Sequence, residues 1–570
     1  MLNGCLVLLR RRVLVVVLLG IAACAAPSRG GERPGGADPA DGSVDVDPAE
    51  AIAGDFPPLQ CTLAAPALGP AWLRQAVGYQ IWVRSFADSD GDGHGDLDGI
   101  VARLDALADG KAGGADLDVD VLWLSPIFVS PSDHGYDATD YLHVQPQFGG
   151  DAALGRLLKA AKARGVRVFL DLVLNHTSDQ HPWFLDARQG KGAEHRHWYV
   201  WRDAVPPAGE GWGQPWNPKA KVWHDLGAAG AYYGLFWSGM PDLNLGWAPV
   251  REALDAVVAH WVGLGVDGFR LDAVRYLVES GPGAGQADTL QTHAWLKALR
   301  QAHPGVAWVG EAWTDTATVR TYLQGDELDG AFDFDTAAGL RKGLELHSAA
   351  LLRNAICKGA ALPEGGLHRF AGNHDMPRLA DLAGTPQQRV LALAATLLLP
   401  GPAWIYQGDE LGLPSGEVDG DRAWRLPLPW QHDAPGLGFS SGTPWLPSPA
   451  SYAGLAVDLQ DADATSLRAR VRDLVALRRA LPALAQGPAR VLLPEGESGH
   501  DALMWFAGPS ADVLVVLAFT DAQVPLPVGF EGASVRWTSA STPGRARHDG
   551  RERAVVQGPG AWVLQRPLPP

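Results

Sequence analysis

The chain has 570 residues, which is enough for a large folded core and a second domain. Hydrophobic residues make up 46% of it and charged residues 19%, as in an ordinary globular protein. The formal net charge is −17, and no basic run is long enough to follow a phosphate backbone, so binding to nucleic acid is not expected.

The chain begins with a predicted export signal. Three arginines, Arg10 to Arg12, precede a short apolar run from Val13 to Ile21, and small residues follow up to Cys24. The run is too short to span a bilayer as a helix of the mature protein. The ending "IAAC" resembles a bacterial lipobox, which predicts that residues 1–23 are removed and that Cys24 carries a lipid. The protein would then face the periplasm or the cell surface, held to the membrane only through this anchor. The alternative is a plain signal peptide cut near Ala26, which would release a secreted protein.

Residues 24–75 are predicted to be a flexible linker, because they are rich in Gly, Pro, Ala and Asp and show no periodicity. Apart from Cys5 and Cys24, only Cys61 and Cys357 remain. In an oxidising compartment these two cysteines either pair or stay as free thiols, and the sequence leaves both open because it does not show that they are close.

Eight short β-rich runs alternate with helical stretches between residues 76 and 412. The runs cover residues 78–86, 119–127, 166–174, 265–273, 306–312, 330–335, 367–373 and 402–408. Between them lie stretches such as 250–264, where apolar residues recur at helical spacing. Eight such units predict an α/β fold, a parallel (β/α)8 TIM barrel over residues 76–176 and 240–485. Active-site residues are then expected at the C-terminal ends of the strands.

The connection after the third strand is too long for a simple loop. Residues 177–239 are rich in Trp, Tyr, His, Gly and Pro, and we predict that they form a small inserted domain along one wall of a cleft. After the barrel, residues 466–484 form an amphipathic helical pattern. Residues 486–570 combine strand runs with Gly- and Pro-rich turns, which predicts an antiparallel β-sandwich.

Four of the predicted barrel strands end in acidic residues. The residues at these ends are Asp171, Asn175 and His176, then Arg270 and Asp272, then Glu311, and finally Asn373, His374 and Asp375. One such carboxylate is most often a structural cap or an ion-pair partner. Four carboxylates on one barrel face would be hard to sustain against their mutual repulsion unless the site used that charge. Two carboxylates that flank an acetal carbon are what cleavage of a glycosidic bond requires.

The segments around these residues are "DLVLNH" (171–176), "GFRLDAVRY" (268–276), "WVGEAW" (308–313) and "FAGNHD" (370–375). They resemble, in order, the four motifs of the α-amylase family of glycoside hydrolases (family 13), and the likeness covers roughly residues 76–485. "HGYDATDY" (134–141) resembles the family's segment after strand two. "MPDLN" (240–244) resembles the fifth motif of a group intermediate between oligo-1,6-glucosidases and neopullulanases.

The resemblance implies a retaining mechanism and a role for each site residue. Asp272 would be the nucleophile, Glu311 the general acid/base, and Asp375 the carboxylate that holds and distorts the reacting sugar. Arg270 would keep Asp272 ionised and oriented, while neighbouring negative charges would raise the pKa of Glu311. The remaining substrate contacts fall to His176 and His374, which would bind sugar hydroxyls, and to Tyr136, which would stack on the sugar.

The segment "DSDGDGHGD" (88–96) has the acidic spacing of a calcium loop. The predicted ligands of one structural Ca²⁺ are Asp88, Asp90, Asp92, the His94 carbonyl and Asp96. Position twelve of the loop is Gly99, so the loop is not an EF-hand, and a solvated acidic turn is the alternative. Related amylases carry a similar loop after strand one, which favours calcium. Many α-amylases bind a second calcium beside a Lys-His pair, and the residues Arg275 and Tyr276 at that place argue against it here.

Two features bear on which glucan is cut. Ala273 follows the nucleophile, as in α-1,4-acting relatives, and together with "MPDLN" it favours an α-amylase acting within starch and maltooligosaccharides. Asp133 and Arg425 match a pair that grips the terminal sugar and closes the pocket in exo-acting α-glucosidases. An exo-acting α-glucosidase or transglycosylase is therefore the alternative, and a surface salt bridge would be the simpler explanation of the pair. A starch-binding lipoprotein without catalysis is also possible, although such relatives usually lack one of the three carboxylates. We expect a monomer.

Overall fold

The computed structural model describes residues 58–111, 113–362, 366–493, 498–548 and 551–566. The predicted signal peptide, Cys24 and most of the predicted linker lie outside the described residues, so the structure does not test them. Among the residues that are described, no helix is both long and apolar enough to cross a bilayer.

The predicted barrel is confirmed. Eight parallel strands follow one another in chain order and the last pairs with the first, which closes the barrel. Each lies inside one of the predicted runs except the first, which begins one residue earlier. The strands are Val77–Ile81, Val121–Leu124, Arg167–Leu172, Gly268–Leu271, Ala307–Gly310, Gly330–Phe332, Leu367–Phe370 and Ala403–Tyr406.

Helices cover the outside of the barrel. The helices of the described barrel region are Leu97–Arg103, Gly150–Ala163, Ala248–Leu264, Leu290–Ala302, Thr316–Tyr322, Phe334–Glu345, Ala349–Lys358, Leu379–Leu382, Pro386–Leu398, Val457–Ala462, Leu467–Ala480 and Pro482–Gln486. Ala248–Leu264 has Pro in its first turn and ends at Gly265, whose φ of 102° is left-handed, as is usual at a helix C-terminus. Its buried residues, among them Leu254 and Trp261, recur at helical spacing and pack on the core.

Aromatic side chains fill the barrel interior. Trp123, Phe332 and Trp404 contact one another with ring centroids 5.1 to 6.0 Å apart. Glycines on neighbouring strands make room for these rings, because a Cβ at Gly78 would lie 2.2 Å from Trp404. The barrel interior is therefore filled by side chains, and the open cavity lies at the C-terminal ends of the strands.

The inserted segment contains the helix Pro182–Ala187 and a small antiparallel sheet. The strands of this sheet are Trp201–Arg202, Ala231–Tyr233 and Trp223–Asp225, in spatial order. Isolated bridges pair His176 with Asp242 and Tyr199 with Leu243, so the two ends of the insertion are joined where it leaves and re-enters the barrel. A second short hairpin, Phe128–Val129 with Asp140–Val144, follows barrel strand two.

The C-terminal part consists of antiparallel sheets, as predicted. The larger sheet has, in spatial order, the strands Leu59–Leu63, Ala489–Leu492, Ala502–Ala507, Val513–Ala518, Gly560–Gln565 and Ser534–Thr538. The smaller sheet has the strands Gln523–Pro525, Arg551–Gln557 and Gly544–His548. Side chains of both sheets, such as Val516 and Val556, share one hydrophobic cluster.

The prediction of a flexible linker up to residue 75 is wrong at its C-terminal end. Leu59–Leu63 is an edge strand that pairs with Ala489–Leu492, and Leu73–Gln75 forms a short 3-10 helix. The strand is stabilised by a partner more than four hundred residues away, which local composition does not reveal. A disulfide joins Cys61 to Cys357 of the helix Ala349–Lys358, so of the two alternatives left open for these cysteines the structure has the paired one.

Candidate active site

One buried arginine organises the acidic residues at the strand ends. Arg270 Nη1 lies 2.6 Å from Asp171 Oδ1 and 2.7 Å from Asp272 Oδ1, and its Nη2 lies 2.9 Å from Glu311 Oε2. The arginine side chain is only 2% exposed. Sheet register explains the convergence, because Arg270 stands opposite Asp171 on one neighbouring strand and opposite Val309 on the other. The planar guanidinium offers donors in several directions and can bind three carboxylates at once.

The two carboxyl groups expected to do the chemistry are both buried beside Arg270. Burial raises the pKa of Glu311 to about 8, with the Arg270 charge opposing and the Asp272 charge adding to the shift. Burial also raises the pKa of Asp272, and Arg270 opposes it through charge and a hydrogen bond. Glu311 Oε2 also accepts a hydrogen bond from the Ala273 backbone N–H at 3.0 Å. Ala273 can donate it because the chain turns sharply there, with a left-handed φ of 47°.

Asp375 is held as an anion facing the cavity. Its Oδ1 lies 2.8 Å from Arg425 Nη2, and its Oδ2 lies 2.9 Å from His374 Nε2. Burial alone would raise the pKa of Asp375, but His374 and Arg425 outweigh burial and bring it well below its usual value. A permanently ionised carboxylate at this position suits a residue that accepts hydrogen bonds from sugar hydroxyls.

Tyr136 and the two histidines form one network beside the carboxylates. The Tyr136 hydroxyl lies 3.0 Å from Asp171 Oδ2 and 2.5 Å from His374 Nε2. The Tyr136 and His374 rings stack with centroids 5.5 Å apart and an interplanar angle of 8°. His176 Nε2 lies 3.1 Å from the Tyr136 carbonyl oxygen, and burial lowers the pKa of His176 to about 4, so its ring is neutral at pH 7.

These predicted residues surround one cavity of about 780 Å³. Tyr136, His176, Asp272, Glu311, Asp375 and Arg425 line it, together with His134, Pro215, Trp216, Phe236, Trp237, Met240, Ala273, Arg275, Tyr276, Trp313 and Asp421. Arg270 and His374 lie just beneath the lining residues, where they contact the carboxylates. The structure thus brings together all but one of the catalytic and substrate-binding residues that the sequence singled out.

Asp133 is the exception. It is not among the residues that line the cavity, and it forms a bidentate pair with Arg422 (Nε to Oδ2 2.9 Å, Nη2 to Oδ1 3.1 Å). Arg425 instead contacts Asp375 and Asp421. The pairing of Asp133 with Arg425 is therefore wrong, because Asp375 and Asp421 already occupy the guanidinium of Arg425. Arg422 was missed, although it lies in the same loop three positions earlier.

Aromatic residues that the sequence did not single out also form part of the cavity wall. Trp216, Trp237 and Trp313 are 52%, 50% and 48% exposed, which is unusual for so large an apolar side chain. Two of them, Trp216 and Trp237, belong to the inserted segment, whose tryptophan content had predicted a cleft wall without showing which residues face it.

The acidic loop after barrel strand one brings together three of its predicted ligands. Carboxylate oxygens of Asp88, Asp90 and Asp96 lie within 4.8 Å of one another. Asp92 is not in this group, and its Oδ1 accepts a hydrogen bond from the His94 N–H at 2.7 Å. Carboxylate oxygens are the ligands that Ca²⁺ prefers, so the donor set of three fits the ion, and the calcium assignment stays a prediction.

A second group of oxygen atoms lies between the barrel and the inserted segment. Asp242 is fully buried, accepts hydrogen bonds from Asn175 Nδ2 at 3.0 Å and from the Leu235 N–H at 2.9 Å, and contacts Glu279 through a side-chain hydrogen bond. Asn175 Oδ1 and Glu279 Oε1 are buried without a protein partner. Two buried carboxyl groups without an ion-pair partner among the described residues require a shared proton or a cation. Burial and the neighbouring Asp242 charge raise the pKa of Glu279 well above its usual value, so Glu279 is the group that would carry a shared proton. The residues Arg275 and Tyr276, which argued against a second ion, do not belong to this group of oxygen atoms.

The chain is similar to known proteins over most of its length. Residues 80–487 match the family described as "Alpha amylase, catalytic domain". "Alpha-amylase 3" of Dictyoglomus thermophilum is 31% identical over 435 residues, which are 73% of this chain and 79% of that protein. A "Probable alpha-glucosidase" of Rhizobium meliloti is 34% identical over 475 residues, 73% of this chain and 84% of that protein. The crystal structure of the alpha-amylase from H. orenii superposes with a TM-score of 0.76 at 30% identity, covering 87% of this chain and 100% of that one.

These findings define the class of protein: a glycosidase, a hydrolase that acts on O-glycosyl bonds, built on a TIM barrel. The chain belongs to the α-amylase family of glycoside hydrolases, family 13. The family hydrolyses glucans, so an α-glucan is the substrate class that the family implies.

Proposed function

We propose that the protein is a retaining α-amylase, which cleaves α-1,4-glucosidic bonds in starch-like glucans and maltooligosaccharides. The single observation that carries the proposal is the guanidinium of Arg270, which contacts both Asp272 and Glu311 and so holds two carboxyl groups on one side of the cavity. Close carboxyl groups in opposite protonation states are the requirement of a retaining mechanism.

The chemistry follows from the protonation states. With a pKa of about 8, Glu311 carries a proton at neutral pH, which it gives to the glycosidic oxygen as that oxygen leaves. An oxygen of Asp272, kept ionised by Arg270, forms a bond to the anomeric carbon while the carbon–oxygen bond to the leaving sugar breaks. Glu311, now ionised, then takes a proton from water, whose oxygen displaces Asp272 and releases the sugar. Asp375 holds hydroxyls of the reacting sugar throughout.

Four observations support cleavage within a chain. The cavity volume of about 780 Å³ lies in the upper part of the usual range of ligand pockets, and three half-exposed tryptophans in it offer flat surfaces for more than one sugar. Asp133, expected in an exo-acting enzyme to grip the terminal sugar, lies outside the cavity lining. Ala273 lines the cavity directly after Asp272, where its small side chain leaves space beside the nucleophile.

One observation favours the exo-acting α-glucosidase instead. The Asp133–Arg422 pair joins the loop after barrel strand two to the loop after strand eight, and its neighbours His134, Asp421 and Arg425 line the cavity. Such a bridge would close the cavity beyond the reacting sugar. One relative is named an alpha-amylase and another a probable alpha-glucosidase, so the relatives do not decide between the two activities.

The proposal includes a calcium ion at Asp88, Asp90 and Asp96 and export as a lipoprotein anchored through Cys24. A calcium ion there would fix the loop against the segment of Ser440, whose hydroxyl donates to Asp88 Oδ2 at 2.5 Å. The Cys61–Cys357 disulfide supports export, because structural disulfides persist in oxidising compartments.

The test is a time-resolved analysis of products from maltoheptaose, run beside isomaltose and an Asp272→Asn control. Early maltose, maltotriose and longer fragments, abolished in the control, are expected of the α-amylase. Glucose as the sole product from the first time point would show that the enzyme is an exo-acting α-glucosidase and not an α-amylase. If neither sugar gave a product, the remaining interpretation would be a starch-binding protein without catalysis.

A further inference from the structure

The lining of the cavity has two chemically different regions, and Glu311 lines the same cavity. One is charged, where Asp375 contacts Arg425 and His374. The other is aromatic, where Trp216 packs on Phe236 and on Tyr276 with centroids 5.5 and 5.8 Å apart. Trp313 joins this second region through Arg275, the residue before Tyr276.

The position of Trp313 places it on the side of the leaving group. It lies two residues after Glu311 in the loop that follows barrel strand five, whereas the residues expected to hold the reacting sugar belong to the charged region. The Trp313 ring packs nearly parallel on Phe334, with centroids 4.6 Å apart and an interplanar angle of 14°. Phe334 covers part of the ring, and the half-exposed remainder lines the cavity.

Arg275 fixes the loop of Trp313 to the loop of the nucleophile. Its Nη1 donates to the Trp313 carbonyl oxygen at 3.0 Å, and its Nη2 lies 2.7 Å from Asp288 Oδ2. The Asp288 N–H donates in return to the Arg275 carbonyl oxygen at 2.8 Å. A lysine has a single ammonium group and could not make these separated contacts at once.

Asp288 itself is held in place from a third element. It has a left-handed φ of 54°, and its Oδ1 accepts a hydrogen bond from the hydroxyl of buried Tyr322 at 2.7 Å. Tyr322 ends the helix Thr316–Tyr322, which begins directly after the Trp313 loop. Asp288 thus connects both loops to a rigid helix, and a strained backbone so strongly constrained is typical of a functional site.

We propose that Arg275 is a positioning residue for the leaving-group sugar: through its contacts with Asp288 and the Trp313 backbone it holds the Trp313 ring as the surface on which that sugar stacks. The proposal rests on the proposed glycosidase function. It assigns the affinity for the leaving-group sugar, and not the bond-breaking step, to this contact.

The experiment compares two substrates that share the reacting glucose and differ in the leaving group. Maltotriose places a sugar on Trp313, whereas α-D-glucosyl fluoride has no sugar on that side. For Arg275→Gln and Asp288→Asn we expect the KM for maltotriose to rise about tenfold with little change in kcat. The kcat/KM for the fluoride should stay within about twofold of wild type. Arg275→Lys should recover only part of the loss, and Trp313→Ala should reproduce it while Trp313→Phe retains most of the affinity.

The matched control is Arg156→Gln, which removes a bidentate pair with Asp98 outside the cavity and should change neither substrate. An unchanged KM for maltotriose in Arg275→Gln and Trp313→Ala would overturn the proposal. So would an equal loss on both substrates, since that would mean general damage to the site. Wild-type protein that turns over neither substrate would instead overturn the proposed glycosidase function.

Discussion

Replacing Arg270 by lysine probes the centre of the site. The guanidinium contacts Asp171, Asp272 and Glu311 at 2.6, 2.7 and 2.9 Å while being 2% exposed. An ammonium group cannot reach three carboxylates from one position, so Arg270→Lys leaves at least one of them buried and unpaired. Breaking a buried pair in this way costs ~3–5 kcal/mol of unfolding free energy.

The same substitution changes the pH dependence in a defined direction. Arg270 opposes the rise in the pKa of Asp272 that burial causes, so its loss raises that pKa further. Less Asp272 is then ionised at a given pH, and the acidic limb of kcat/KM moves to higher pH by about one unit or more. The assay is the pH profile for α-D-glucosyl fluoride, measured beside urea unfolding.

Arg369→Lys is the matched control. Arg369 is also buried and pairs with Asp333, and neither residue lines the cavity. This variant should lose stability without moving the acidic limb. A folded Arg270→Lys protein with an unmoved acidic limb would refute the role given to Arg270.

Four further predictions concern protonation, metal and the disulfide. The basic limb of the pH profile of kcat/KM should lie near pH 8, where Glu311 loses its proton. Glu311→Gln should abolish that limb for α-D-glucosyl fluoride. A basic limb that persists in this variant would mean that another group is the general acid. The raised pKa of Glu311 also means that its contribution to stability is complete below about pH 4.5 and is lost as the pH rises to about 8, which urea titrations against pH would detect as a falling unfolding free energy. Chelation should lower Tm by several degrees, restored by Ca²⁺, with Asp88→Asn insensitive to both; equal Tm values with and without chelator would contradict a resident calcium ion. Cys61→Ser or Cys357→Ser opens a crosslink across 296 residues and should cost ~2–5 kcal/mol in urea unfolding, whereas an unchanged midpoint under oxidising conditions would argue against the disulfide.

Local patterns predicted the barrel and its carboxylates because each depends on a short segment. The alternation of side chains along the predicted run 265–273 places Arg270 and Asp272 on one face, and the two side chains are in contact in the structure. Strand-end motifs mark where the site lies. The order of the eight strands follows from the order of the motifs, since each strand pairs with the next in the chain.

The features that were missed depend on contacts between distant segments. Leu59–Leu63 becomes a strand only because Ala489–Leu492 lies beside it, and its own composition suggests a linker. Asp133 pairs with Arg422 because Arg425 already pairs with Asp375, which follows another strand. The folded structure decides which of several charged residues form an ion pair, and the spacing of those residues in the sequence does not reveal the choice.

The central claim is that Asp272 becomes covalently bound to the sugar. The most direct measurement uses 5-fluoro-α-D-glucosyl fluoride, a slow substrate that accumulates a glycosyl-enzyme, followed by mass spectrometry of the intact and digested protein. We predict a mass increase of one fluoroglucosyl unit on the peptide that contains Asp272, absent in Asp272→Asn and retained in Asp375→Asn at a slower rate. Labelling of another carboxylate, or turnover of the reagent without any covalent species, would contradict the account.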